Sequence, residues 1–138
     1  MKNNDYTGIC VIVGGQNVNR HYIMTVLKDR FPSAKIIENP DYALFDLLNC
    51  IDTIIYNHVR THKHYIISTN NPIILRAIEC YCDYYDVMKS LNVYDIENYS
   101  SDIDAVPNIT YMDIGLTKVY NRYNNILNQL NDLIARHD

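Results

Sequence analysis

Three short clusters hold the residues of this chain that could do chemistry, and each ends an apolar run. They are Gly14-Gly15 after Ile9-Cys10-Val11-Ile12-Val13, Glu38-Asn39-Pro40 after Lys35-Ile36-Ile37, and Thr69-Asn70-Asn71-Pro72 after Tyr65-Ile66-Ile67-Ser68. A glycine pair entering a helix can offer backbone N–H groups as an anion-binding nest, or can serve simply as a strand-to-helix turn. Asn39 has no basicity and cannot take a proton from water. Asn70 can donate a hydrogen bond yet cannot titrate. Asn39-Pro40 and Asn71-Pro72 also read as plain turn and helix-start signals, with no chemistry attached. His58, His62 and His64 offer the i, i+4 spacing of metal ligands. The run His58-Arg60-His62-Lys63-His64 reads more simply as a solvated helix end favoured by the macrodipole, so no metal is expected. Cys10, Cys50, Cys80 and Cys82 lack the paired spacing of a zinc site and are expected as reduced thiols, mostly in the core.

The elements that must position these clusters follow from periodicity. Thr7–Val13 is a continuous apolar run, as a strand buried on both faces requires. Ile23, Val26, Leu27 and Phe31 share one face of a helix that stops near Pro32. Lys35–Ile37 is the second strand. Leu44, Leu47, Leu48, Ile51, Ile54, Ile55 and Val59 give the clearest helical pattern of the chain. His64–Ser68 is the third strand, and Asn70 or Asn71 caps the next helix, with Pro72 at its first position. That helix carries Ile74, Ala77, Ile78, Tyr81, Tyr85 and Met88 on one side. Residues 98–108 read as a polar, acidic loop, Ile109–Ile114 as a late strand, and Leu116, Val119, Tyr120, Tyr123, Leu127, Leu130 and Ile134 as one face of a final helix. Alternating strands and helices imply right-handed βαβ units, hence an α/β fold: three layers, a mostly parallel sheet with helices on both faces. Ligands of such sheets sit at the carboxyl ends of the strands, where all three clusters fall.

The second and third clusters resemble consecutive motifs of ABC-type ATPases, especially the branch with SMC-like and overcoming-lysogenization-defect proteins. There the first strand ends in Asp-Glu-Pro and the next in Thr-His-Ser-Pro or similar; here the positions read Glu38-Asn39-Pro40 and Thr69-Asn70-Asn71-Pro72. The likeness extends over roughly residues 12 to 134 and implies a P-loop, ABC-ATPase-like fold, with residues 1–138 forming one reduced domain. Gapless, Gly14-Gly15-Gln16-Asn17-Val18-Asn19-Arg20-His21 falls on G-x-x-x-x-G-K-[ST], with Arg20 for the lysine and His21 for the hydroxyl residue. Alternatively, Gly14-Gly15-Gln16 matches the end of the signature Leu-Ser-Gly-Gly-Gln, and the chain is only the carboxyl half of an ATPase domain. Either alignment leaves the phosphate site incompetent, because a guanidinium fork does not replace a lysine point charge and imidazole is a poor magnesium ligand. The resemblance makes Gly14, Gly15, Arg20, His21, Glu38, Asn39 and Asn70 a vestigial nucleotide site. Glu38 would survive as the magnesium-binding acid, while the catalytic glutamate and switch histidine are replaced by Asn39 and Asn70.

With 48% hydrophobic and 20% charged residues the chain is globular rather than disordered. A net charge of −4 gives no electrostatic footprint for nucleic acid. No run approaches the roughly eighteen apolar residues of a membrane span, and the polar Met1-Lys2-Asn3-Asn4-Asp5 does not read as a signal peptide, so a cytoplasmic protein is expected. The expected function is that of a catalytically inactive ABC-ATPase-like protein. It would bind and regulate or inhibit a protein partner, either an active ABC-type ATPase or a second copy of itself, with no cofactor. A viral or phage origin, aimed at a host ATPase, would suit such a module. The alternative is a small P-loop nucleotide-binding enzyme such as a nucleotide kinase, with Arg20 on phosphate. The partner-binding candidates are Arg20 and Asn70 at the strand ends, and Tyr84 and Tyr85 on the third helix, tyrosine being enriched at interfaces.

Overall fold

A computed structural model describes residues 8–98, 102, 106 and 113–137. The chain alternates β1 (Ile9–Val13), α1 (Asn17–Arg30), β2 (Lys35–Glu38), α2 (Leu44–Thr61), β3 (Tyr65–Ser68), α3 (Pro72–Tyr84), a 3-10 turn (Met88–Ser90), β4 (Leu91–Asp95) and α4 (Asp113–His137). The four strands are all parallel, in the order β2-β3-β1-β4. β1 lies inside the sheet and every one of its residues is buried, as the unbroken apolar run requires.

Side-chain alternation along the strands divides the interior into two cores. Cys10 and Ile12 of β1 join Ile66 of β3 and Ile23, Met24 and Leu27 of α1 on one face. Ile9, Val11 and Val13 join Ile67 and the apolar faces of α2, α3 and the start of α4 on the other. The fold is therefore a three-layer α/β sandwich. Ile23, Leu27, Ile51, Ile55 and Ile78 are all under 2% exposed, and each such side chain contributes about 1.5–3 kcal/mol by leaving water. α3 starts as its sequence demands: Asn71 Oδ1 accepts the Ile73 N–H at 2.9 Å, and Pro72 occupies the first turn, where no N–H is needed. No described helix is long and apolar enough to cross a membrane.

Two expectations need correction, and one strand was not foreseen. α3 ends at Tyr84, so Tyr85 caps its end and Met88 lies in the 3-10 turn, neither of them on the helix. The segment after it forms β4, which the periodicity reading did not anticipate. Leu91-Asn92-Val93-Tyr94 alternates buried and half-buried residues, the pattern of an edge strand, but the run is too short to stand out beside a tyrosine-rich helix. The late strand expected at Ile109–Ile114 falls on residues 109–112, outside those described, and on Asp113 and Ile114, which belong to α4.

Candidate functional site at the carboxyl edge

The strand order places a reversal between β1 and β3. β1 is followed by α1 on one face of the sheet, and the adjacent β3 is followed by α3 on the opposite face. The two connections part there, at the carboxyl ends of the strands, where open α/β sheets bind ligands. Gly14-Gly15 follows the end of β1 and Thr69-Asn70 the end of β3.

The glycine turn is built for close approach. Gly14 and Gly15 have φ of +84° and +62°. A Cβ on Gly14 would stand 2.9 Å from both Asp95 Oδ1 and Glu97 N. No other residue type fits such a site without strain. What approaches is the exit of β4. Asp95 Oδ1 accepts the Glu97 N–H at 3.1 Å, and this turn lays the Glu97 carboxylate on the Gly15 N–H, also at 3.1 Å. Arg122 of α4 then grips Asp95 with both guanidinium nitrogens, Nη1 to Oδ2 at 2.9 Å and Nη2 to Oδ1 at 2.8 Å, and its Nε lies 3.8 Å from Glu97 Oε1. Burial opposes the charge of Arg122, but the hydrogen bonds and charge of Asp95, with Glu97 behind, outweigh it and hold its pKa above the ordinary value.

Arg20 closes the turn from beneath. It is only 6% exposed, and its Nη1 donates to the carbonyl oxygens of Gly14 (3.0 Å) and Gly15 (2.8 Å). Burial lowers its pKa, against the opposing pull of Tyr123 and Glu38; a guanidinium remains charged nonetheless. This corrects the expectation of an exposed contact residue. Two buried polar atoms among the described residues have no hydrogen-bond partner, Arg20 Nε and Ser68 Oγ.

The second cluster is tied down in the same way. Asn39 takes a left-handed conformation (φ +49°), its N–H donates to the Ser68 carbonyl at 2.7 Å, and its Nδ2 donates to Asn17 Oδ1 at 2.6 Å. His21 Nδ1 meets Glu38 Oε2 at 2.7 Å, and both side chains are open to solvent. A carboxylate–histidine pair is the orienting half of a catalytic triad, yet no hydroxyl or thiol hydrogen-bonds to His21 among the described residues. Asn70 Oδ1 accepts from Tyr123 Oη at 2.6 Å. All seven vestigial-site residues thus surround one edge of the sheet.

The chain matches no protein-family model, no curated protein and no solved structure. The ABC-type resemblance therefore stands on its motifs alone.

Sequence reasoning missed Asp95, Glu97, Arg122 and Tyr123, which complete the site. Asp95 and Glu97 follow an apolar run as Glu38 does, and the same rule would have found them once Leu91–Tyr94 was recognised as a strand. Of the remaining candidates, Tyr84 is 75% exposed and stacks edge-on against Tyr85. Tyr85 is half-buried, with its hydroxyl on Asp52 Oδ1, and this bond pushes its pKa up to about 12. His58 is buried, with Nδ1 2.8 Å from the Lys63 carbonyl oxygen, so it is not part of a solvated helix end. Among the described residues no cluster of His, Cys, Asp or Glu could hold a metal ion.

Proposed function

We propose that this protein is a catalytically inactive, ABC-ATPase-like module that works by binding a protein and regulating or inhibiting it. One observation carries the reading: the Arg20 guanidinium points into the glycine turn and bonds the carbonyl oxygens of Gly14 and Gly15. A phosphate loop needs its cation turned outward and its amide N–H groups free. Here the cation is spent on the loop's own carbonyls, and the Gly15 N–H is taken by Glu97. Adding a triphosphate would bring more negative charge beside Glu97, Asp95 and Glu38.

The hydrolytic chemistry is missing as well. A positioned general base supplies about 10²–10⁴-fold in rate, and Asn39, held between Ser68 and Asn17, cannot act as one. The nucleotide-kinase alternative asks Arg20 to contact phosphate, which its inward direction opposes. The motif resemblance makes an active ABC-type ATPase, in a phage or mobile-element setting against a host, the first foreign partner to test. Purified protein is expected to release phosphate from ATP and GTP at background rate. Steady release that disappears in Glu38→Ala would overturn the proposal.

A further inference from the structure

α4 divides at Arg122 and Tyr123, the two residues bonded to the carboxyl edge of the sheet. Before them, Leu116 and Val119 are buried in the core. After them, every described side chain from Asn124 to Arg136 is exposed, although the helix continues to His137. Ile126, Leu127, Leu130, Leu133 and Ile134 are each 50–65% exposed. They recur at helical spacing on one side, with Asn124, Asn125, Asn128, Asn131 and Asp132 elsewhere. A helical segment of this length is marginal alone in water, and its apolar stripe needs cover.

The stripe reads the same in both directions. Ile126-Leu127-Asn128-Gln129-Leu130-Asn131-Asp132-Leu133-Ile134 is symmetric in its apolar residues about Leu130, in both position and identity. A two-fold axis at Leu130 sets two antiparallel copies with Ile126 opposite Ile134, Leu127 opposite Leu133, and Leu130 on itself. The polar positions between them then match Asn128 with Asp132 and Gln129 with Asn131. No like charges face each other across this pairing. A two-fold interface must offer ridge and groove on one patch, and the groove is present. Leu127 runs straight into a trough of about 590 Å³ between α2, α3 and α4, floored by Ala77 and Tyr81 and rimmed by Leu48 and Ile73. Leu44 and Phe45, 78% and 92% exposed, lie about one turn before Leu48. The antiparallel register brings the partner's helix end to the level of Tyr123, at the mouth of this trough. The nine exposed Leu, Ile and Phe side chains present on the order of 800 Å² of apolar surface, the share of one partner in a standard stable interface.

We propose that a second copy of this chain is the occupant: the protein forms a two-fold dimer through antiparallel pairing of its α4 helices about Leu130. This deepens the association reading above and fails separately from it, since a monomer leaves the phosphate-release test untouched. Sedimentation equilibrium decides the state. The wild type should sediment at twice the 16.1 kDa chain mass at about 100 µM, where a micromolar dimer is almost fully formed. Leu130→Asp should return it to the monomer mass with cooperative unfolding retained and no more helix lost from circular dichroism than the uncovered end of α4 accounts for, while Asn128→Lys, which faces Asp132 across the axis, should stay dimeric. Register is read by disulfide trapping in a Cys50→Ser, Cys80→Ser background. Ile126→Cys mixed with Ile134→Cys should cross-link, and neither variant alone should. A monomeric wild type, an assembly larger than two, a dimer that survives Leu130→Asp, or self-cross-linking of Ile126→Cys would each overturn the proposal. If Leu130→Asp fails to fold, the trapping pattern decides alone.

Discussion

At the carboxyl edge of the sheet, Arg20, Asp95, Glu97 and Arg122 give their charges and donors to partners within the chain. One turn further along α4, five Leu and Ile side chains face solvent instead. The first region has the position of a ligand site in an α/β fold and most of its polar groups already paired, with Arg20 Nε and Ser68 Oγ left over; the second has no catalytic group and a large uncovered apolar area. Polar groups that satisfy one another stabilise the fold and withdraw a site from use, whereas apolar surface can be satisfied only by burial against something else. The contrast is the ground on which we propose that the working surface lies on the helix rather than at the carboxyl edge.

The most disruptive test of the contrast is Gly14→Ala. The added Cβ would meet Asp95 Oδ1 and Glu97 N at 2.9 Å, at a φ that side chains rarely adopt. A loss of about 2–3 kcal/mol in urea unfolding is expected, and a neutral result would show that the turn is not packed against the exit of β4. Arg20→Ala should follow, at about 2 kcal/mol, since it strips two carbonyls of a charged donor and leaves a buried gap. Had Arg20 been an exposed contact, the cost would be within about 0.5 kcal/mol. Arg122→Ala should cost less, about 1 kcal/mol, because the fork on Asp95 is partly open to solvent. Leu130→Asp should leave the unfolding of the monomer unchanged within about 0.5 kcal/mol.

A milder effect is expected from the opposite edge of the sheet, and it serves as a control. His64 accepts the Gly8 N–H at Nδ1, 2.8 Å away. Burial first, and then the neighbouring His58, lower its pKa below the ordinary 6.5. Its protonation is therefore harder in the folded than in the unfolded chain, so the unfolded state takes up more protons below about pH 6.5. Stability should hold above that value and decline as pH falls through it. Thermal unfolding across pH 5–8 checks this, and His64→Gln should flatten the decline.

Much of this was legible in the sequence. The unbroken run Ile9–Val13 announced a buried strand, the Leu44–Val59 pattern a helix, and Asn71-Pro72 a helix start, because each rests on local periodicity or local hydrogen bonding. The convergence of Gly14, Glu38 and Asn70 followed from parallel topology. What could not be read was direction. The sequence shows that Arg20 follows two glycines, but not that its guanidinium folds back onto their carbonyl oxygens, nor that Glu97 and Arg122 are brought to the same turn from distant parts of the chain by β4 and α4. β4 itself escaped notice because two apolar residues in alternation are a weak signal. The Leu130 palindrome was in plain view; its meaning depends on the exposure that only packing reveals.

Calorimetric titration with Mg-ATP tests the central claim most directly, because a glycine turn whose carbonyls hold Arg20 and whose Gly15 N–H is held by Glu97 should offer little to a triphosphate. The account predicts an affinity weaker than millimolar, so that 5 mM ATP adds no more than about 1 kcal/mol to unfolding stability. Micromolar binding that is lost in Glu38→Ala, or a stabilisation of several kcal/mol, would contradict it.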